Sequence, residues 1–565
     1  MSEARPSELE SSGLASAHSL ATKEFPEFWR YLAIAYHVLP AALLKIQMVF
    51  SQPAVTETST RTGSAREGVL YFPKDWPFLF ALTVIGAVLR CLYLTRKSFW
   101  FDEGVSVEIA RLDWYNFARI LWRREGNMSL YYVLLRGWLH FGHSEFFIRS
   151  LSILPSLATI PVVYWLGRRL FDRRVGLIAA TLLTFNAYHI RYAQEARSYS
   201  FFIFLATLSS AFFIDFLQQP TRRNRIGHIL TSSLAVYAHL YAVLLIVTQW
   251  LSLRFLKYEE IKTNKIDCEE IPLNTKQNWR WIAILVFPAL LFVGTTGAGP
   301  ISWIKRPGFK ELYEYYEHMA GNGGFLLVLV YFCACLAALT ELGGRLFQRR
   351  LLWDNWRYQF LLLWLIVPVV FTVLISIVRP MFLARYLAFC LPALIVLAAV
   401  GLARLSKSWL IISALLLVMA LSLKGTFSYY DHDFDLDRDD WRAASFYILD
   451  HARPGDVILF HIAMGRMPYE FYKSVYTGNS SGPTVIYPTH GTRFDYRDFM
   501  GRPSDEFLRT VPSKHDRVWI VLKNNEIKTG TDPTTALING LFGGSYPNFD
   551  QQNFPWIEVR LYSRQ

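Results

Sequence analysis

Apolar segments that recur along most of this chain constrain its fold more than any other feature. A helix rising 1.5 Å per residue crosses the hydrocarbon core of a bilayer with about 20 residues. The pattern therefore predicts an α-helical polytopic membrane protein with about eleven transmembrane helices. The predicted spans lie at roughly residues 76–95, 146–167, 175–190, 198–217, 227–240, 241–256, 280–298, 325–345, 359–378, 383–403 and 408–425.

The amino-acid composition supports a membrane protein. Of the 565 residues, 53% are hydrophobic and 18% are charged, whereas soluble domains are about 25% charged. The formal net charge of +13 arises mostly from basic residues in short loops. That distribution is typical of cytoplasmic loops, so nucleic acid is not a predicted partner. The five cysteines lack metal-ligand spacing, which argues against a disulfide framework and a zinc site.

The basic loops also orient the helices. Clusters of arginine and lysine all fall on one side if the spans alternate, and the positive-inside rule makes that side cytoplasmic. The loop at 96–145 is basic yet external in this scheme, and its residues 127–140 are interpreted as a helix along the membrane surface. The clusters lie at residues 168–174, 222–225, 257–280, 345–357 and 404–407.

Three regions differ in character. Residues 1–75 form a polar N-terminal segment without an apparent secretory signal, and residues 28–50 within it are either an interfacial or a spanning helix. Residues 76–425 form the transmembrane domain, and residues 426–565 are predicted to be a small external α/β domain. Its strands are expected at 456–460, 484–487, 517–522 and 556–562, and its helices at 441–451, 505–511 and 534–542.

The stretch Ser98-Phe99-Trp100-Phe101-Asp102-Glu103-Gly104 directly follows the first predicted span. Two adjacent carboxylates there lie between aromatic residues, at the depth where the membrane meets water. Acidic groups next to apolar surface are costly, which suggests a functional role. The alternative is a solvated acidic turn.

Further polar residues are predicted at the same external ends of the helices. Each has a simpler explanation: Arg385 could extend to lipid headgroups, Glu195 and Arg197 could form a structural ion pair, and His239 could be a packing residue. Jointly, acids and cations at one depth fit a reaction with a lipid-linked phosphate leaving group. Such a reaction needs a base, cations for the phosphate and an apolar groove.

Four motifs in the first third of the region from about residue 76 to 460 carry a family resemblance. They are Phe101-Asp102-Glu103-Gly104, Glu125-Gly126-Asn127-Met128-Ser129-Leu130-Tyr131-Tyr132, Gly167-Arg168-Arg169-Leu170-Phe171 and Gln194-Glu195-Ala196-Arg197-Ser198-Tyr199. Together they resemble the bacterial relatives of protein O-mannosyltransferases, within the GT-C superfamily of membrane glycosyltransferases that includes the lipid A aminoarabinose transferase. Many members carry His-Pro-Pro where this chain has Asn127-Met128-Ser129.

Two later motifs extend the resemblance to about residue 460. Arg385-Tyr386 with Leu391-Pro392 resembles a later helix of the family, and Asp440-Trp441-Arg442 resembles the opening of its external domain. The resemblance implies that Asp102 is the catalytic base with Glu103 beside it, and that Glu195 occupies a second acidic position. It also implies that Arg197 and Arg385 hold the lipid phosphate. The other predicted substrate-binding or donor-phosphate-binding residues are Tyr386, Glu125, Asn127, Tyr131, Tyr132, Gln194, His239 and Tyr241.

The predicted function is transfer of a sugar from a polyprenyl-phosphate donor to an envelope lipid, glycan or protein on the external face of a bacterial inner membrane. The family resemblance implies inversion at the anomeric carbon. Membrane lipid is a further expected partner. Some relatives need a divalent cation and others do not, and no metal or other cofactor is predicted here. The main alternative is a lipid or oligosaccharide transporter or flippase, although such proteins tend to have midplane charges and repeats. A structural scaffold would leave the paired acids unexplained.

Overall fold

The computed structural model describes residues 75–256, 271–296, 306–340, 353–432, 439–478, 481–488, 501–523 and 533–564, with Ile304 and Leu342. The N-terminal segment 1–74, with its predicted helix at 28–50, lies outside the described residues. The chain divides into two compact units, residues 1–70 with 405–414 and residues 71–404 with 415–565. Only residues 405–414 of the first unit are described.

Helices occupy every predicted span and most of the segment between the first two. The helices that precede the C-terminal domain are α1 (Trp76–Cys91), α2 (Phe101–Arg111), α3 (Trp114–Arg123), α4 (Ser129–Trp138), α5 (Glu145–Leu170), α6 (Arg173–Phe185), α7 (Ala187–Ala193), α8 (Tyr199–Gln218), α9 (Arg222–Ala238), α10 (Ala242–Ser252), α11 (Ile271–Thr296), α12 (Phe309–Ala320), α13 (Phe325–Leu339), α14 (Trp353–Val378), α15 (Leu391–Ala403) and α16 (Ser408–Asp431).

Six of these segments are long and apolar enough to cross a membrane, within the part of the chain that the structure describes. A seventh span results if α12 and α13, which meet at an angle of 81°, are counted together. The predicted polytopic helical architecture is confirmed, but α1, α6, α9 and α10 are shorter or more polar than full spans. The six segments are Glu145–Leu170, Tyr199–Gln218, Gln277–Thr295, Trp353–Val378, Ala384–Ala403 and Ser408–Asp431. The segment Ala384–Ala403 consists of a 3₁₀ helix, Ala384–Cys390, followed by α15.

The sequence explains where the predicted span 175–190 is interrupted. Asn186 ends α6 and begins α7, because its side-chain oxygen accepts a hydrogen bond from the His189 N–H at 2.9 Å and caps the new helix. The chain therefore turns at this point, and the residues after α7 form a buried loop. That loop runs from Gln194 to Ser198 and contributes to the site described below.

The C-terminal domain (residues 439–564) contains a five-stranded mixed sheet in the order β2-β1-β3-β5-β4. Strand β1 pairs in parallel with β2 and β3, whereas β5 pairs antiparallel with β3 and β4. The strands are β1 (Val457–Phe460), β2 (Thr484–Tyr487), β3 (Arg517–Lys523), β4 (Asn548–Phe554) and β5 (Ile557–Ser563), and the helices are α17 (Trp441–His451), α18 (Arg466–Val475), α19 (Asp505–Lys514) and α20 (Pro533–Ser545).

Alternating residues of the sheet enter two separate cores, as expected from the two-residue period of a strand. Val518 and Ile520 pack with the core that includes α19 and α20. Trp519 and Val521 face the other way, into a core that also contains Phe99. That second core continues through α2 and α4, so the C-terminal domain shares one hydrophobic core with the segment that follows α1.

Two elements of the C-terminal domain were absent from the sequence interpretation. Helix α18 mixes polar and apolar residues and has Pro468 near its start, and its packing against α2 and α17 stabilises it. Strand β4 is polar and exposed, so it lacks the apolar alternation of a buried strand. It forms because it pairs with β5 as an edge strand.

Candidate active site

The first turn of α2 is the centre of the site. Asp102 and Glu103 lie in this turn, where acidic side chains interact favourably with the positive end of the helix dipole. Glu103 reaches back to the backbone N–H of Trp100 at 3.4 Å, as in a capping box. Gly104 follows, and Pro468 of α18 packs directly against it. The three consecutive residues Asp102, Glu103 and Gly104 therefore have different environments.

Glu103 is completely buried and is held by Arg149 of α5. The guanidinium binds it with two hydrogen bonds, from Nε to Oε1 and from Nη2 to Oε2, each 2.8 Å long. Such a bidentate pair is strong and directional. Arg149 also donates to the carbonyls of Lys97 at 2.9 Å and Ser98 at 3.1 Å, which fixes the end of the loop before α2.

The same glutamate connects the two loops that carry the predicted catalytic and phosphate-binding residues. Its Oε1 accepts a hydrogen bond of 2.7 Å from the backbone N–H of Ala196. Arg197 is consequently placed beside α2, where its Nη1 donates to Ser106 Oγ at 3.0 Å and its Nη2 lies 3.6 Å from Asp102 Oδ2. We infer that Glu103 is a positioning residue rather than a second base.

A second group of polar residues extends from Arg197. The hydroxyl of Tyr132 accepts from Arg197 Nη1 at 3.3 Å and donates to Glu125 Oε2 at 2.9 Å. Burial raises the pKa of Glu125, and the negative charge of Asp102 adds to this effect, although Arg197 and Tyr132 oppose it. Glu125 therefore holds a proton more readily than an ordinary glutamate does.

An aromatic group lies along the rim of the bundle next to Asn127. His239 is buried, lies 3.3 Å from the Asn127 amide nitrogen, and packs its ring 5.0 Å from that of Tyr386. The rings of Tyr241 and Tyr386 are 5.3 Å apart, and the Tyr241 hydroxyl donates to the carbonyl of Met381 at 2.9 Å. These contacts fix the segment that carries Arg385.

Arg385 and Lys523 bring two more cations to the first turn of α2. The Arg385 guanidinium lies 5.7 Å from the centre of the Trp100 ring. Lys523, at the end of β3 in the C-terminal domain, has its ammonium 3.4 Å from the centre of the Phe101 ring. With Arg197 beside Asp102, three cations from three parts of the chain lie next to the consecutive residues Trp100, Phe101 and Asp102.

This geometry suits a reaction that develops negative charge beside a base. Asp102 is partly exposed and can accept a proton, and the cations can stabilise a departing anion. Among the described residues, no group of three His, Cys, Asp or Glu side chains could hold a metal ion. Metal independence stays a prediction, to be checked by measuring activity in EDTA.

Comparisons with known proteins agree with this architecture. Residues 115–293 match a family model described as dolichyl-phosphate-mannose-protein mannosyltransferase. The structure resembles that of ArnT from Cupriavidus metallidurans in the apo state, with a TM-score of 0.55 and 14% identity over 87% of this chain and 99% of that chain. The chain has a GT-C fold. The resemblance predicted from the sequence motifs is thereby confirmed.

A second structure of ArnT from Cupriavidus metallidurans, bound to undecaprenyl phosphate, shows the same similarity. Its TM-score is 0.52 at 14% identity, again over 87% of this chain and 99% of that chain. A sequence comparison with curated proteins gives no match. At this identity the likeness establishes the GT-C fold, and the roles of individual residues rest on the geometry of this chain.

Three of the predicted site residues make contacts that secure other parts of this GT-C fold. The Gln194 amide donates to the carbonyls of Arg90 and Leu92, at 3.0 and 2.8 Å, and so secures the end of α1. Tyr131 lies 3.3 Å from the Ser152 hydroxyl inside the bundle. Glu195 is buried and pairs with Arg191 at 3.4 Å.

The sequence interpretation omitted two residues that the GT-C fold brings to the site. Arg149 lies near the start of the span 146–167, and a charge inside an apolar span needs a partner, so a signal was present. Lys523 carries no comparable signal, because it is an ordinary lysine after a short strand. More than 400 positions separate it from Phe101, and tertiary structure alone brings them together.

Proposed function

We propose that this protein is an integral membrane glycosyltransferase that transfers a sugar from a polyprenyl-phosphate donor to an envelope lipid, glycan or protein. The observation that carries the proposal is Asp102, a partly exposed carboxylate beside the Arg197 guanidinium. A base and cations for a phosphate are the groups that such a transfer needs. The ArnT structure that contains undecaprenyl phosphate supports a polyprenyl-phosphate donor.

In the proposed reaction an acceptor hydroxyl attacks the anomeric carbon of the sugar. Asp102 accepts the hydroxyl proton as the new glycosidic bond forms. The bond between that carbon and the phosphate oxygen breaks, and its electron pair leaves with polyprenyl phosphate from the opposite face, which inverts the anomeric configuration. Arg197 and Arg385 stabilise the charge that the phosphate gains.

We further propose that the site and the C-terminal domain face outward from a bacterial inner membrane. The basic loops 168–174 and 222–225 support this orientation, since such loops are retained in the cytoplasm. A cysteine at the exposed position Lys514, in a variant without native cysteines, should react with an impermeant maleimide in cells with a permeabilised outer membrane. Protection of that cysteine until the inner membrane is lysed would contradict the orientation.

The reaction itself is tested with purified protein in detergent micelles. The assay supplies a synthetic polyprenyl-phosphate sugar and a crude envelope extract, and it measures release of polyprenyl phosphate. We expect release that depends on both the protein and the extract, and that is strongly reduced in the Asp102→Asn variant. A flippase moves lipid between leaflets without breaking the sugar–phosphate bond, so absence of release with a panel of donor sugars would favour that alternative.

A further inference from the structure

Lys523 connects the C-terminal domain to the site in a way that the proposed chemistry does not require. It is the last residue of β3, whose neighbours along the strand are buried in the two cores of the domain. The carboxyl end of a parallel strand is where open α/β sheets commonly bind ligands. Here that end meets the Phe101 ring, one residue before Asp102.

The Lys523 ammonium is held in this position by Asp439. Its Nζ lies 2.6 Å from Asp439 Oδ2, an oxygen that also accepts from the Trp441 indole N–H at 3.3 Å. The Asp439 carbonyl accepts a hydrogen bond of 3.1 Å from the Ser98 hydroxyl. The ion pair is therefore anchored both to the C-terminal domain and to the loop before α2.

The pair is largely buried, with a small exposed fraction on each side chain. The side chain of Lys523 is 16% exposed and that of Asp439 is 11% exposed. Burial lowers the pKa of Lys523, although the negative charges of Asp439 and Asp102 oppose the change. Geometry places the ammonium beside the proposed base, because Lys523 contacts the ring of Phe101, the residue directly before Asp102.

The donor and the acceptor must approach the site from different sides. The polyprenyl chain of a donor stays in the membrane, so its phosphate arrives next to Arg197 and Arg385, which belong to the helical bundle. Lys523 and Asp439 instead belong to the C-terminal domain. An ammonium–carboxylate pair next to aromatic rings can donate to and accept from neighbouring hydroxyl groups.

We propose that Lys523 and Asp439 form an acceptor subsite that binds a polyhydroxylated, sugar-containing acceptor. The proposal rests on the proposed function, because it assigns the acceptor side of the same site. In the Lys523→Gln variant the ammonium is lost, and we expect the KM for acceptor to rise at least tenfold. Affinity for polyprenyl phosphate should stay within twofold of that of the unmodified protein.

The experiment measures both quantities on the full-length protein in micelles. Initial rates over a dilution series of the envelope extract give the apparent acceptor KM, and titration with polyprenyl phosphate gives donor-side affinity. Lys514→Gln removes the same charge from an exposed position on α19 and is the matched control. A Lys523→Gln/Asp439→Asn double variant leaves neither partner charged, so it tests the subsite without an unpaired carboxylate.

Several results would overturn the subsite. An unchanged acceptor KM in both Lys523 variants would remove its basis, and an equal fall in polyprenyl phosphate affinity would assign Lys523 to the donor side. A loss of thermal stability in the single variant with normal acceptor KM in the double variant would make the pair purely structural. Failure of the proposed function is distinct, since the unmodified protein would then release no polyprenyl phosphate.

Discussion

Asp102 and Glu103 are adjacent in the first turn of α2, and each pairs with an arginine, but the pair of Glu103 is buried and that of Asp102 is partly exposed. Arg149 and Glu103 are 1% and 0% exposed, and two hydrogen bonds join them. Arg197 and Asp102 are 8% and 26% exposed, with 3.6 Å between the nearest charged atoms. The Glu103–Arg149 pair is shielded from solvent, whereas the carboxylate of Asp102 can still form hydrogen bonds with solvent or a ligand. Arginine–carboxylate pairs therefore mark either structure or function, and exposure with geometry distinguishes them.

The largest expected effect on activity comes from removing the partly exposed carboxylate of Asp102. Asp102→Asn should lower the rate of polyprenyl phosphate release by roughly 10²–10⁴, because a positioned base contributes that much. Stability should change little, since the side chain is partly exposed and its ion pair is long. Glu108→Gln, the same chemical change two turns along α2, is the control and should keep activity. Comparable rates in the two variants would place the base elsewhere.

Removing the charge of Glu103 from its buried pair with Arg149 should lower stability instead. Glu103→Gln leaves the Arg149 guanidinium buried without its counter-charge, which costs roughly 3–5 kcal/mol. The thermal midpoint in detergent should fall clearly. Asp516→Asn, in an exposed pair of 3.2 Å with Arg564, should cost less than about 1 kcal/mol. Normal stability with reduced activity in Glu103→Gln would instead support a direct catalytic role for Glu103.

Arginine substitutions sharpen the same contrast. Alanine at Arg197 or Arg385 should reduce transfer by roughly 10²–10³, the effect of losing one group that stabilises a developing anion. Lysine keeps the charge without the planar fork, so it should retain part of the activity at both positions. Arg149→Lys should mainly lower the thermal midpoint. Full turnover by both alanine variants would exclude these residues as the phosphate clamp.

The smallest expected effect is the loss of stability from substituting Gly104, the next residue of the turn. A Cβ added at Gly104 would lie 2.6 Å from Pro468 Cβ and 2.8 Å from its Cα, so Gly104→Ala should destabilise by about 1–3 kcal/mol. Gly137→Ala in α4 is the matched control, because no atom lies within 4 Å of its added Cβ. That variant should be neutral or slightly stabilising. Equal midpoints would mean that α2 and α18 can separate without cost.

Much of the helical architecture was accessible from sequence, because a bilayer requires long apolar segments and these are visible as composition. Helix is present at every predicted span. The count of full-length spans was less accessible: Asn186 interrupts one segment by capping a new helix, and α1 and α10 are too short to cross without support. Strand β4 escaped prediction because an exposed edge strand needs no apolar pattern.

The sequence by itself determined the class of protein, the turn with its two acids and the cations at the loop ends, since each depends on local composition and motif. It could not separate Asp102 from Glu103, because adjacent carboxylates have the same chemistry until burial and partners differ. Only tertiary structure paired Glu103 with Arg149, turned Asp102 toward Arg197 and brought Lys523 onto Phe101. These contacts join residues tens to hundreds of positions apart, and packing of the shared core decides them.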